Sequence, residues 1–143
     1  MKKTIILFLV AFTLCGCIEE EYYMEGRVNT FDATEIDIAL AILNGSLEIL
    51  HESSKTDCEI VSTGFELSEN VHFSNPKTIS SGKTRGVFKA SAENLKPNTK
   101  YYVRAFARLD YDTYNGRGGY DKIFYGNTVE FTTMNGKVSS NKE

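Results

Sequence analysis

The chain has 143 residues, with 16 Lys and Arg against 19 Asp and Glu, and stands at −3 at neutral pH. One domain with short appendages fits that length, and if about 110 residues fold, roughly 60–65% of the unfolded surface is buried, enough for a core without staples. The acidic balance, with no basic run, argues against nucleic acid and against anionic lipid heads as partners.

Residues 1–17 begin Met1-Lys2-Lys3, continue through the apolar run Ile5–Phe12 and end Leu14-Cys15-Gly16-Cys17. A basic start followed by a short apolar run is the pattern of a secretory signal. The run falls short of the about 20 residues that a lasting membrane span needs. Its ending resembles the lipobox of bacterial lipoproteins. There a small residue precedes the cut and a cysteine thiol accepts the lipid. The resemblance implies acylation of Cys17 after removal of 1–16, and several acyl chains on one residue anchor stably where one is marginal. Removing the leader takes away Lys2 and Lys3 and leaves the mature chain at −5. An ordinary secreted protein with an incidental Cys17 is the alternative, and a Cys15–Cys17 metal pair lacks further ligands nearby. Of three cysteines only Cys58 lies outside this segment, so no disulfide framework is expected, and a buried thiol is favoured over an intermolecular bridge.

Ile18-Glu19-Glu20-Glu21 opens a tether that runs to residue 24. An acidic patch behind the acceptor cysteine resembles the signal that exports lipoproteins to the outer face of the outer membrane in one Gram-negative phylum. A solvated acidic linker is the plain alternative.

A first strand is expected near Glu25–Asn29. Over Ala33–Leu43, Ile36, Ile38, Leu40 and Ile42 alternate with Asp37, Ala39 and Ala41, which predicts a second strand with those four on one face. Ile36, Leu40, Leu43, Leu47 and Leu50 also fall at helical spacing. Asn44-Gly45 decides against a continuous helix, because the pair favours a turn and Gly is costly inside a helix. Ser46–Leu50 is then a separate short piece, extending a hairpin or forming one helical turn. After the polar stretch 51–57, Cys58–Leu67 predicts a strand with Val61, Thr63, Phe65 and Leu67 on one face. Asn75-Pro76 marks a loop, where a proline interrupts no ladder. Val87–Leu95 predicts another strand, carrying Phe88, Ala90 and Ala92.

From Lys100 the chain alternates again. Tyr101, Val103, Ala105 and Ala107 are expected on one side, with Tyr102, Arg104, Phe106 and Arg108 on the other. Leu95, the Pro97 turn and Tyr101 opening the strand form a corner of the Greek-key kind, in which the tyrosine hydroxyl bonds the upstream backbone and its ring fills the core. Together with Ser62-Thr63-Gly64-Phe65-Glu66-Leu67-Ser68 and Tyr125-Gly126-Asn127-Thr128-Val129-Glu130-Phe131-Thr132-Thr133, this segment resembles a bacterial fibronectin type III-like domain. Leu67 stands where that family carries an aromatic. The resemblance implies an all-β fold, a Greek-key β-sandwich of about seven strands, immunoglobulin-like, following a cleaved lipoprotein signal peptide. It implies Leu95, Pro97 and Tyr101 as the structural corner, Val129 and Phe131 inward, and Tyr125 opening the last strand as a structural residue. The expected division is a signal peptide over 1–16, a lipidated acidic tether over 17–24, the domain over 25–134 and a polar tail over 135–143.

Between strands F and G the family has a short loop, whereas this chain has Asp110–Phe124, rich in Tyr, Gly, Asp and Asn. Loops on a rigid sandwich commonly carry binding groups, and Tyr gives large contact area at little entropic cost. Tyr111, Tyr114, Arg117 and Tyr120 are the candidate ligand contacts, suited to stacking on sugar rings. Alternatively F and G extend as a hairpin turning at Asn115-Gly116, with tyrosines packing across strands. A calcium loop fails on spacing, since Tyr114 falls where an oxygen ligand belongs and no Glu closes the loop. Arg104 and Arg108 with Tyr102 and Phe106 line an outward face, either an interface, a face covered by a neighbouring loop, or a solvated one.

No Gly-x-Ser-x-Gly, phosphate-loop or His-Glu-x-x-His pattern occurs, and His51 and His72 stand apart on separate loops. The expectation is therefore a non-enzyme without cofactor or metal: an outer-membrane or cell-surface lipoprotein, lipid-anchored and facing outward. It would act as a binding or adhesion module for a glycan or surface protein through the F–G loop. The alternative is a structural spacer or assembly subunit that meets a partner through a sheet edge or the F-strand face. Partners are then the membrane, through Cys17, and a glycan or surface protein, with no nucleic acid.

Overall fold

A computed structural model describes residues 25–50, 56–113 and 120–136. These form eight strands and no helix: β1 (Gly26–Thr34), β2 (Leu40–Ile49), β3 (Thr56–Ser68), β4 (Lys77–Gly82), β5 (Gly86–Glu93), β6 (Lys100–Thr113), β7 (Tyr120–Tyr125) and β8 (Val129–Thr132). One sheet has the order β1-β2-β5. The other has the order β4-β3-β6-β7, with β8 also on β6. All pairs are antiparallel. β5 returns beside β2 rather than beside β4, which makes the Greek key. β7 and β8 share one side of β6, so they are one strand broken over 126–128, and the chain is an immunoglobulin-like, fibronectin type III-like sandwich of seven strand positions.

The core lies between the sheets. Val28, Ala41, Leu43, Leu47, Phe88 and Ala92 from the first sheet meet Phe65, Leu67, Val103, Ala105, Ala107, Leu109 and Phe131 from the second. Each large side chain so buried contributes about 1.5–3 kcal/mol. β6 follows its alternation closely: Tyr101, Val103, Ala105 and Ala107 are all buried. At the corner before it, the Lys96 N–H donates to the Tyr101 hydroxyl at 2.9 Å. The Tyr101 ring stacks on Phe131, centroids 5.7 Å apart.

β2 differs from expectation in both phase and length. It runs unbroken through Asn44-Gly45, with no turn and no helical piece, and its inward residues are Ala41, Leu43, Gly45 and Leu47 rather than Ile36, Ile38, Leu40 and Ile42. Ile36 and Ile38 belong to the β1–β2 connection instead, where Ile36 still packs against the core and Ile38 is exposed. The reason is the separation of the sheets. A Cβ on Gly45 would lie 3.0 Å from the Ala105 Cβ of the facing sheet and 3.0 Å from the ring of Phe88, its partner on β5, so this inner position takes a glycine. Asn44 is buried on the outer side, where its amide donates to Asp32 O at 2.9 Å and to Thr34 Oγ1 at 3.2 Å across the bulge in β1.

In β3, Thr63, Phe65 and Leu67 face inward as their spacing predicts, but Val61 does not join them. The ladder to β6 shifts register between Ile60 and Ser62, so beyond this bulge Cys58 and Ile60 take the core side. The Thr63 hydroxyl, fully buried, is 3.0 Å from Ser81 Oγ and accepts from the Thr84 N–H at 3.3 Å, pinning the β4–β5 crossover. Gly82 and Gly86 bound that crossover at φ +94° and +86°, conformations costly for any residue with a Cβ.

Candidate functional site

The strand directions give the sandwich two poles. At one, Gly26 opens β1 beside Leu109 and Phe124. Here β2 ends, β3 begins, and β6 and β7 run on beyond Gly26 as an antiparallel pair, in line with the alternative reading of the F–G stretch as a hairpin. Their register pairs Phe106 with Tyr125 through to Tyr111 with Tyr120. At the other pole are the corner before β6, the β3–β4 loop and the segment after β8. There the Met134 N–H donates to Asp37 O at 3.1 Å, and the Asn98 N–H donates to Met134 O at 3.0 Å.

The four candidate contacts are distributed unevenly on this frame. Tyr111 is half-buried, shares the core side with Leu109 and packs against the core cluster. Its register partner on β3 is Cys58, also half-buried against the core. Tyr120 lies opposite Tyr111 at the start of β7. Tyr114 and Arg117 lie outside the described residues, as do Cys17, the tether and His51.

The outer face of the second sheet is more ordered than a solvated strand face. Arg104 lies opposite Glu66 in register, and its Nε and Nη2 both reach Glu66 Oε2, at 2.8 and 2.7 Å. Its guanidinium carbon is 4.4 Å from the Phe73 ring centroid and 4.0 Å from that of Tyr125. The cation is thus held between two aromatic faces and a carboxylate. The Tyr125 hydroxyl donates to Glu66 Oε1 at 3.2 Å. Partial burial, followed by the negative charge of Glu66, raises the Tyr125 phenol above the ordinary tyrosine range. Tyr125 therefore closes β7 rather than opening the last strand, and it stands 44% exposed as the outer plate of this stack. Next along the face, Phe106 lies over Gly64, where a Cβ would stand 3.1 Å from the ring and 2.4 Å from Ile79 O. Arg108 makes a bidentate pair with Asp121. That pairing holds the Asp121 carboxyl below its ordinary range.

Glu66 was within reach of the sequence, since a carboxylate at the outward position of β3 is the natural partner for an outward Arg on β6. Phe73 was not, because it enters from the β3–β4 loop at φ +53°, outside any periodic pattern. His72 sits on the same loop, exposed, its N–H bonded to the Asn70 side chain at 2.7 Å. Among the described residues, no three His, Cys, Asp or Glu side chains come together to hold a metal.

No protein-family model matches the chain, and no curated protein matches it significantly. Solved structures match its fold. The sensor domain of the anti-sigma factor RsgI4 in Pseudobacteroides cellulosolvens aligns with TM-score 0.52 at 15% identity, covering 83% of this chain and 99% of that one. A fibronectin type-III domain of human fibronectin type III domain containing protein 3 aligns with TM-score 0.51 at 19% identity, covering 81% and 92%. These likenesses establish the sandwich fold and nothing about ligands.

Proposed function

We propose that this chain is a lipid-anchored, non-catalytic binding module of the bacterial cell surface, held to the outer membrane through Cys17 and facing outward. The ending Leu14-Cys15-Gly16-Cys17 after a basic start and a short apolar run carries this reading, and the strand directions say which pole of the domain such an anchor would hold. β1 begins at Gly26, nine positions after the acceptor cysteine, while the corner loops and the end of the domain lie at the opposite pole. The eight residues between Cys17 and Gly26 span at most about 27 Å when fully extended. The hairpin pole is therefore kept near the membrane and the corner pole is presented outward.

In this arrangement Tyr114, Arg117 and Tyr120 are ligand contacts of the hairpin, with a glycan as the ligand class suited to flat aromatics beside amides. Tyr111 contributes mainly packing. A second role, as a subunit that meets a partner protein, is favoured by one specific feature: the outer sheet face exposes Tyr125 and Ile123 beside the ordered Arg104 stack.

The test is fractionation and labelling of cells expressing the full chain, with a Cys17→Ser variant beside it. The expected result is radiolabelled-palmitate incorporation and membrane retention, both lost in Cys17→Ser. Equal membrane retention of the two chains would overturn the anchor. Glycan-array binding of the full chain, with Tyr114→Ala/Tyr120→Ala as the comparison, then tests the hairpin.

A further inference from the structure

At the corner pole, an open cleft of about 370 Å³ lies between the β3–β4 loop and the turn after β5. Its volume is within the range of small-ligand sites. We propose that this cleft is a binding site for the end of a neutral oligosaccharide, separate from the hairpin.

The lining chemistry selects that class. Two charged groups on it are already matched: Lys96 Nζ pairs with Glu69 Oε1 at 2.7 Å. Lys77 Nζ, also at the cleft, is bonded at 3.0 Å to the backbone oxygen of Glu93, which orients the ammonium without neutralising it. An anionic ligand such as a phosphate is best held by several converging cations, and of the two lining lysines Lys96 is already paired with a carboxylate. What the cleft offers instead is amides and hydroxyls. Asn70 has its side-chain oxygen engaged by the His72 N–H, which leaves the NH2 group as a donor. Asn75, Asn94 and Ser74 also line the cleft and are exposed. A primary amide donates and accepts at adjacent atoms, as do neighbouring sugar hydroxyls, so the two pair in twos. Leu67 and Leu95 supply an apolar part of the lining, against which the C–H face of a sugar ring can rest. No aromatic face is open for stacking a base, because the Tyr101 ring is buried on Phe131.

Asn75 and Asn94 sit at φ +52° and +57°, a region asparagine tolerates, and the corner is tied by the Tyr101 hydroxyl. Glycine occupies that region at least as readily. Asn75→Gly/Asn94→Gly therefore removes both amides while suiting the backbone, which makes it a variant that folds.

The experiment is calorimetric titration of the full chain in detergent micelles with maltohexaose, cellohexaose and mannohexaose, and with an oligogalacturonate as the charged probe. The expected result is binding of at least one neutral hexamer, weakened by about tenfold or more in Asn75→Gly/Asn94→Gly. Three outcomes overturn the site: no neutral hexamer binds at millimolar concentration, binding survives the Asn double variant, or the oligogalacturonate alone binds. The second of these, together with loss of binding in Tyr114→Ala/Tyr120→Ala, places the glycan at the hairpin instead of the cleft. The anchor is judged by the palmitate experiment alone, so the two proposals fail independently.

Discussion

Two residues decide local geometry out of proportion to their size. Tyr101 carries both parts of the corner, a ring in the core and a hydroxyl holding the Lys96 N–H. Tyr101→Phe keeps the ring and removes the acceptor. Its expected cost is about 1 kcal/mol, seen as a lower urea midpoint with an unchanged slope, whereas Tyr102→Phe on the outward side should shift the midpoint little. Gly126 is the second. A Cβ there would stand 2.6 Å from Thr30 Oγ1 and 3.0 Å from Thr30 N, so the break between β7 and β8 needs a residue without a side chain. Thr30 cannot move away, because its Oγ1 accepts from the buried Ala105 N–H at 2.9 Å. The same logic explains why tyrosine content misleads at the hairpin. Composition marks Tyr111 as a contact, although the alternation of β6 already puts it on the side of Leu109; that this far along the strand the side still packs against the core, opposite Cys58, is not local information.

At the scale of strands, legibility tracks how uniformly a face is filled. β6 was readable because every inward position from Tyr101 to Leu109 is apolar and no bulge interrupts its own alternation. β2 was not, since its inner face carries Ala41 and Gly45 while larger Leu40 and Ile42 sit half-buried on the other side. The bulge at Val61 changes pairing without changing composition, and so leaves no trace in the alternation. The Arg104 stack joins β3, β6, β7 and a loop, and it makes a prediction at this scale. The Tyr125 phenol is raised in the folded state, so the fold favours its neutral form. That contribution is fully present below the ordinary tyrosine range and is lost as pH rises through the raised folded value. Tyr125→Phe keeps the ring over Arg104 and removes the titration. Its stability should therefore fall less steeply than wild type between neutral pH and about pH 11, measured by urea unfolding. A parallel fall would show that Tyr125 does not contribute.

Across the whole molecule, the two sheets are joined at their β1 edge by side-chain chemistry rather than by a ladder. Asn127 Oδ1 accepts from the Thr30 N–H at 3.0 Å, and its Nδ2 donates to Thr30 O at 3.1 Å, so one amide takes the place of a strand residue opposite β1. Asn127→Ala should cost about 1–3 kcal/mol by leaving both Thr30 backbone groups unpaired. It should also accelerate hydrogen exchange at the Thr30 amide before the β6 amides are affected. The clamp bears on mechanics as well. Were the chain anchored through Cys17 and a ligand held at the corner pole, as proposed, the two would pull on β1 in opposite directions, so tension would run along β1 rather than across it. Its ladder to β2 and the Asn127 amide are then loaded together, in shear, instead of parting one bond at a time. A strand gripped from both flanks is a fastening suited to sustained pull.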